Sequence, residues 1–210
     1  MDGRNKSGHD DDTSGYAMPT PKILTFAGST RIGSSNAKLA ALAAKELTLR
    51  DIEVTRISLQ DYALPLFDPD LEARSGPPEA AVKLKHMIMA HRGVFIASPD
   101  YSASVTPLLK NAIDWVSRVR EKGDPLYAAF KSRVFAIASV SPEPSGGLHS
   151  LQALRQILEI GCGALVLPEQ LAIAGADDAF DEMGNIADTH LANKFHAQLA
   201  RLVEMARLMG

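Results

Sequence analysis

The chain has 210 residues, 46% of them hydrophobic and 22% charged, and its net charge is −3 at pH 7. This composition is typical of a globular domain with its own core, and it argues against a nucleic-acid-binding protein, which would carry excess positive charge. The single cysteine, Cys162, excludes an internal disulfide, and no apolar run reaches the roughly 18 residues of a membrane span. We therefore expect a cytoplasmic protein that binds neither nucleic acid nor membranes.

The first 20 residues are mostly polar and charged, with almost nothing to bury. Such a segment cannot offset the entropy that ordering would cost. We expect residues 1–20 to be a disordered tail and residues 21–210 to form a single domain.

The first motif of the chain is an apolar strand over residues 23–27, a loop rich in glycine and hydroxyl groups, and a helix over residues 37–50. Free backbone N–H groups and the helix dipole favour an anion in front of a helix N-terminus. The loop supplies four polar side chains and one cation that suit a terminal monophosphate. They are Ser29, Ser34, Ser35, Asn36 and Arg31.

The spacing of this loop excludes two other phosphate motifs. Gly28 and Gly33 stand five apart as in a P-loop, but Ser34 follows where that motif needs lysine. The Gly-x-Gly-x-x-Gly fingerprint of dinucleotide-binding folds is absent as well. The alternative is a plain turn in which Ser34 or Ser35 only caps the helix.

Further along the chain, apolar runs alternate with helical patterns, separated by loops rich in proline, glycine and polar residues. Strands are predicted over residues 53–59, 93–98, 133–139 and 164–167, the last resuming at 170–173. Helices are predicted over residues 79–91, 108–120, 148–160 and 189–209, and residues 61–78 are predicted to be a long loop. This alternation predicts an α/β fold, a three-layer sandwich whose five-stranded parallel sheet has the order 2-1-3-4-5 and helices on both faces.

In such a sheet the loops after strands one, three and four meet beyond one edge, where ligands bind. The loop after strand three offers rigid backbone and one aromatic ring, Tyr101, while Gly146 and Gly147 after strand four let the backbone approach a ligand closely. A flat heterocycle joined through a polyol to a monophosphate would fill all three loops. FMN has this shape.

Two stretches carry a family resemblance. Residues 28–36 resemble the Gly-Ser-x-Arg-x-x-Ser-x-Asn signature of the NADPH-dependent FMN reductase family, whose members have a flavodoxin-like fold. Residues 98–115 resemble its second signature, Pro-Glu-Tyr-Asn followed by Leu-Lys-Asn-Ala-Ile-Asp-Trp. Shorter similarities at residues 145–147, 167–168 and 179–182 extend the resemblance over about residues 22–190.

The resemblance implies FMN as the bound cofactor, NADPH or NADH as co-substrate, and a homodimer or homotetramer. It implies that the phosphate is held by Ser29, Arg31, Ser34 and Asn36. The isoalloxazine and ribityl chain would contact Pro99, Asp100, Tyr101 and Ser102, and the pyrimidine edge would lie near Ser141, Gly146 and Gly147. No catalytic side chain is expected because the chemistry lies on FMN, and the histidines show no metal-ligand spacing.

The chain departs from the family pattern at several positions. Asp100 and Ser102 replace the usual Glu and Asn. The loop after strand four carries Pro142-Glu143-Pro144, and Leu148-His149 follows it in place of a commoner Arg-Ala. These changes bear on the ring contacts, the flavin potential and the nicotinamide partner.

The expected function is transfer of electrons from NAD(P)H through FMN to quinone, flavin, azo or metal-oxyanion acceptors. One alternative is a flavodoxin-like electron carrier without NAD(P)H turnover, although the chain lacks the strongly acidic surface that favours docking of redox partners. Another alternative is a non-catalytic binding domain. Outside the site, we expect Trp115 in the core or at an interface, structural roles for Lys110, Asn111 and Asp114, and a buried Cys162 thiol.

Overall fold

A computed structural model describes residues 20–209, so the predicted tail lies almost entirely outside the described part of the chain. One parallel five-stranded sheet has the order β2-β1-β3-β4-β5, which confirms the predicted flavodoxin-like architecture. The strands are β1 Lys22–Ala27, β2 Glu53–Arg56, β3 Gly93–Ala97, β4 Val134–Val140 and β5 Leu165–Ile173. The helices are α1 Ser35–Thr48, α2 Pro69–Ser75, α3 Glu79–Met89, α4 Pro107–Arg118, α5 Leu148–Gln156 and α6 Thr189–Leu208.

Two hydrophobic layers cover the two faces of the sheet. On one face α1 and α6 pack against the strands, and Phe95 of β3 meets Phe195 of α6 edge-to-face at 6.0 Å. On the other face α3, α4 and α5 cover the residues that alternate with these, including Ile96. Because each strand of the sheet centre is buried on both sides, its sequence is a continuous apolar run. Among residues 20–209, no helix is long and apolar enough to cross a membrane.

The predicted loop over residues 61–78 contains a helix that the sequence reasoning missed. Oδ1 of Asp68 accepts hydrogen bonds from the backbone N–H groups of Asp70 and Leu71, and Pro69 occupies the first helical position of α2. An N-cap aspartate before proline is a helix-start signal, but the several prolines around it favoured a loop. Strand β2 also ends early, because a 3₁₀ turn begins at Leu59.

The last strand is one continuous element rather than two pieces. Phe135 lies opposite Val166 while Ile137 lies opposite Gln170, so β5 bulges over residues 167–169. Pro168, which has no N–H to give the ladder, sits inside the bulge. Gln198 of α6 supplies hydrogen bonds at the bulge: its Nε2 donates to the carbonyls of Ile137 at 2.9 Å and Glu169 at 3.0 Å.

A buried arginine ties the strand ends to the helix layer. Arg133, just before β4, donates to the carbonyls of Ile88 at 3.0 Å and Met89 at 2.9 Å, in the last turn of α3. It also donates to the carbonyl of Ala128 at 2.8 Å. Burial lowers the pKa of Arg133 to about 10, which leaves it charged at neutral pH. The cation therefore caps α3 and holds the segment that leads into β4.

Candidate functional site

Three loops meet at the carboxyl edge of the sheet, as the strand order predicts. We call residues 28–34 the first loop, residues 98–106 the second loop and residues 141–147 the third loop. Together they line a cavity of about 260 Å³, hereafter the cradle. Its walls include most of the predicted site residues, namely Ser29, Arg31, Ser34, Ser35, Asn36, Pro99, Asp100, Tyr101 and Ser141.

The first loop presents hydrogen-bond donors at the start of α1. Ser34 is the N-cap, because its Oγ accepts from the backbone N–H of Ala37 at 3.3 Å. Within residues 20–209, the N–H groups of Ser35 and Asn36 donate to no acceptor in the protein. Arg31 extends its exposed guanidinium from the same loop. Free N–H groups, a helix dipole and one cation all favour an anion at this position.

Unlike the other polar side chains of the first motif, Asn36 uses both of its side-chain polar atoms in hydrogen bonds to the protein backbone. Its side chain is buried, its Nδ2 donates to the carbonyl of Val140 at 2.8 Å, and its Oδ1 accepts from the N–H of Val140 at 3.0 Å. This pair joins the first turn of α1 to the end of β4. The structure therefore shows Asn36 holding the first and third loops together, and direct contact with a phosphate stays a prediction.

Thr106 is a site-forming residue that sequence reasoning missed. Its Oγ1 donates to the carbonyl of Gly28 at 2.6 Å and accepts from the N–H of Leu109 at 3.1 Å. A Cβ on Gly28 would lie 3.0 Å from Cδ2 of Leu109. Helix α4 therefore packs directly on the first loop. The signal was present, since threonine followed by Pro107 reads as a helix N-cap.

The second loop forms a tight turn. The N–H and carbonyl groups of Tyr101 pair with those of Ser104 at 2.9 and 3.0 Å. Between them, Ser102 and Ala103 have φ values of 51° and 60°, the left-handed conformation of a type I′ turn. Residues other than glycine, asparagine and aspartate rarely adopt this conformation, and the side chain of Tyr101 is 51% exposed at the start of the turn. The turn thus presents an aromatic ring at the rim of the cradle.

A polar cluster connects the second loop to α5. Oδ2 of Asp100 accepts from the backbone N–H of Ser150 at 3.2 Å, and Oγ of Ser150 donates to the carbonyl of Pro99 at 2.9 Å. The hydroxyls of Ser150 and Ser98 lie 2.8 Å apart. The N-cap of α5 is Gly147, which has no side chain to cap the helix, so Asp100 caps it from another loop. No local sequence signal identifies a cap that lies 50 residues away.

The third loop needs both of its glycines. Gly146 and Gly147 have φ values of 61° and 86°. A Cβ on Gly147 would lie 2.0 Å from Oγ of Ser139, and a Cβ on Gly146 would lie 2.8 Å from the backbone of Ile173. Ser141 closes the loop, because its Oγ accepts from the N–H of Glu143 at 3.2 Å. Only glycine allows the start of α5 to lie this close to β4.

A second cavity of about 480 Å³ adjoins the cradle at Asp100. It is lined by Asp100, Ser102, Ala103, Glu143, Pro144, Ser145 and His149. Five of these residues, Asp100, Ser102, Glu143, Pro144 and His149, stand at the sequence departures from the family pattern. The departures therefore lie together around one opening, beside the cradle.

The shape and chemistry of the two cavities fit FMN. The donor groups and Arg31 lie at one end of the cradle, where a phosphate would bind. Pro99, Tyr101 and Ser141 line the rest of the cradle, which meets the adjoining cavity at Asp100, whereas Gly146 and Gly147 line neither cavity. A monophosphate joined to a larger flat group therefore matches both ends.

Helix α4, which follows the second loop, packs into the core through Trp115 and Asn111. Nε1 of Trp115 donates to the carbonyl of Pro65 at 2.7 Å, and its fully buried ring packs edge-to-face on Phe67 at 5.0 Å. Asn111 accepts from the N–H of Phe67 at 2.8 Å. The predicted core position of Trp115 is confirmed. Cys162 is buried as predicted, and burial raises the pKa of its thiol to about 11.

Comparison with known proteins identifies relatives over most of the chain. The sequence profile of the family described as NADPH-dependent FMN reductase matches residues 21–178. A quinone reductase of Pseudomonas putida is 33% identical over 169 residues, covering 79% of this chain and 84% of that protein. An NAD(P)H-dependent FMN reductase of Pseudomonas aeruginosa is 32% identical over 192 residues, covering 90% of this chain and 97% of that protein.

A solved structure agrees with the sequence relatives. FerB from Paracoccus denitrificans, described as a flavoenzyme NAD(P)H:(acceptor) oxidoreductase, superimposes with a TM-score of 0.74 at 25% identity, covering 90% of this chain and 99% of that one. The family's cofactors are a flavin and a nicotinamide nucleotide. On its profile match, its relatives and its fold, the chain belongs to the NADPH-dependent FMN reductase family, a family of oxidoreductases.

Proposed function

We propose that this protein is an FMN-dependent NAD(P)H oxidoreductase that passes electrons from NADH or NADPH, through bound FMN, to a small-molecule acceptor. The observation that carries the proposal is the cradle, which joins an anion-binding helix N-terminus to two loops shaped for a flat ring. Bound FMN supplies the hydride and electron chemistry, so the protein's part is binding, orientation and electrostatics.

The proposed phosphate site consists of Ser29, Arg31, Ser34 and Ser35. The Arg31 guanidinium provides the positive charge and a planar set of donors, and the free N–H groups at the start of α1 provide further hydrogen bonds. Asn36 supports this site by holding α1 against Val140.

The proposed ring site consists of the second and third loops. Pro99, Asp100, Tyr101 and Ser102 would contact the isoalloxazine and ribityl chain, and Ser141, Gly146 and Gly147 would lie at the pyrimidine edge. The hydrogen bond between Asp100 and Ser150 joins the second loop to the first turn of α5, which directly follows the third loop. A ring held between them would need no acid or base from the protein.

We propose quinones as the main acceptor class, because the Pseudomonas putida relative is named a quinone reductase. Free flavins, azo compounds and metal oxyanions are the other acceptor classes that the family resemblance suggests. A homodimer or homotetramer in the cytoplasm would suit this activity. Support for an oligomer comes from two strongly exposed apolar side chains, Ile32 of the first loop at 97% and Leu66 of the segment before α2 at 80%.

The test is the anaerobic visible spectrum of the purified protein reconstituted with FMN, recorded before and after addition of NADPH and, separately, of NADH. Bleaching of the flavin band, followed by recovery on addition of a quinone, is the expected result. Bound flavin that stays oxidised with both nucleotides would instead favour an electron carrier. Protein that retains no FMN would favour a non-catalytic domain.

A further inference from the structure

We infer that the cavity beside the cradle selects acceptors by charge, admitting neutral and cationic molecules and disfavouring oxyanions, and that Glu143 sets this selectivity. We call this space, lined by Asp100, Ser102, Ala103, Glu143, Ser145 and His149, the acceptor cavity. The inference rests on the proposed function, and it narrows the acceptor class for the same site.

The lining of the acceptor cavity has an excess of negative charge. Of the residues that the structure describes, it includes two carboxylates, Asp100 and Glu143, and neither lysine nor arginine. Among residues 20–209, His149 is the one other titratable residue of the lining. A cavity walled by charge of one sign focuses the field at its mouth and changes the local concentration of charged solutes.

The two carboxylates are not equivalent. Asp100 accepts the N–H of Ser150 at the N-terminus of α5, so about half a positive charge from the helix dipole offsets its own charge. The side chain of Glu143 is exposed and makes no ion pair or hydrogen bond within residues 20–209. Its charge is therefore available to any molecule that enters the cavity.

Binding of the flavin would reinforce this field. Among residues 20–209, the cradle is lined by one guanidinium, that of Arg31. A bound phosphate monoester carries close to two negative charges at pH 8. The cradle then no longer supplies a net positive charge to balance Glu143. An anionic acceptor that approaches the ring would meet repulsion from both sides.

A series of acceptors that differ in charge tests the inference. The FMN-loaded enzyme oxidises NADH at pH 8 and low ionic strength with ferricyanide, hexaammineruthenium(III) or 1,4-benzoquinone as acceptor. One NADH becomes NAD⁺ and a proton and gives two electrons, which reduce two of the metal ions or one quinone. We compare kcat/KM for the anion with kcat/KM for the cation, each relative to benzoquinone.

In Glu143→Gln, we expect the ratio of ferricyanide to hexaammineruthenium(III) to rise about tenfold or more, and to rise less at high salt. The control is Glu53→Gln, which removes the same charge from the start of β2, at the opposite edge of the sheet, where the exposed Glu53 pairs with Lys22. A ratio that is the same in both variants would overturn the inference.

A binding readout separates this inference from the proposed function. Quenching of bound FMN fluorescence by caesium, compared with quenching by iodide, reports the local charge without turnover. We expect stronger caesium than iodide quenching, relative to free FMN, and a smaller difference in Glu143→Gln. If this asymmetry is present but NADH and NADPH do not reduce the flavin, the proposed function fails and the charge inference stands. If NADH turnover is present without the asymmetry, the charge inference fails alone.

Discussion

Oδ2 of Asp100 accepts a hydrogen bond from the backbone N–H of Ser150 at 3.2 Å, which links the second loop to the first turn of α5. The link matters because Gly147 begins that helix without a capping side chain. One carboxylate thus satisfies a helix N-terminus and sets the distance between two walls of the site. Replacement of the family's usual Glu by Asp leaves a side chain short enough for this contact.

Asp100→Ala should separate the two loops and weaken FMN binding. Loss of a cap costs about 1 kcal/mol of stability, and the ring site should lose affinity by about five- to tenfold. Asp100→Asn keeps an oxygen acceptor for Ser150 and should bind FMN more tightly than Asp100→Ala. Urea unfolding of the apo-protein and fluorescence titration with FMN measure the two effects. Equal FMN affinity of both variants would show that the cap does not position the site.

Arg31→Ala should weaken FMN binding without loss of stability. Hydrogen bonds to a charged group contribute about 1.5–3 kcal/mol, so the Kd for FMN should rise about 10- to 100-fold. The guanidinium is exposed, so the urea midpoint should match that of wild type. Arg120→Ala, at another exposed arginine, is the control and should leave the Kd unchanged.

Gly147→Ala should destabilise the third loop. The positive φ strains any other residue, and the new Cβ would collide with Oγ of Ser139, so we expect a loss of about 2–4 kcal/mol. Gly184→Ala is a matched control, because Gly184 has a φ of 79° and open space around its Cα. The difference in unfolding free energy between the two variants isolates the collision. Equal losses would mean that backbone strain alone requires glycine here.

Asn36→Leu should destabilise the protein through the backbone of Val140. The substitution leaves a buried N–H and a buried carbonyl without partners, at a cost of about 1–3 kcal/mol each. Asn193→Leu, at an exposed position of α6, is the control. Chemical denaturation of the apo-proteins checks this prediction, and a loss below 1 kcal/mol in Asn36→Leu would contradict the bridging role.

His91 should make the protein less stable in acid. Burial lowers the pKa of His91, whose Nδ1 lies 2.7 Å from the carbonyl of Met87 and whose Nε2 lies 2.8 Å from Oγ1 of Thr55. Because the unfolded chain protonates this ring at a higher pH than the folded chain does, stability is lost as pH falls below about 6.5. The slope reaches at most about 1.4 kcal/mol per pH unit.

Gln in place of His91 cannot take up a proton. Unfolding free energies of wild type and His91→Gln at pH 7.5 and 5.5 therefore measure the contribution of His91, because any other group that titrates in this range affects both proteins alike. We expect the wild type to lose more stability between the two pH values. The same loss of unfolding free energy in both proteins would show that protonation of His91 does not cause the loss of stability in acid.

The sheet order and the position of the site could be predicted because they depend on signals that lie close together in sequence. Residues 93–97 form an apolar run typical of a central strand, and the glycine and hydroxyl groups of the first loop mark a helix N-terminus. The sequence allows either Ser34 or Ser35 as the N-cap of α1. The structure shows that it is Ser34, whose Oγ accepts the hydrogen bond from the N–H of Ala37.

The contacts that set the site's geometry could not be predicted in the same way. Asn36 and Val140 are 104 residues apart, so their pairing depends on how α1 and β4 pack rather than on a local pattern. Pro168 indicates a break in the last strand, but the strand continues as a bulge. The side-chain amide of Gln198 donates a hydrogen bond to the carbonyl of Ile137 there. In each case tertiary packing provides a partner that the local sequence does not contain.

Calorimetric titration of the apo-protein with FMN and with riboflavin tests the central claim, that the first loop is a flavin phosphate site. The two ligands share the ring and polyol and differ only in the phosphate. The account predicts that FMN binds at least about 100-fold more tightly than riboflavin, and that Arg31→Ala removes most of this difference. Equal affinities for the two ligands, or a difference that Arg31→Ala leaves intact, would contradict it.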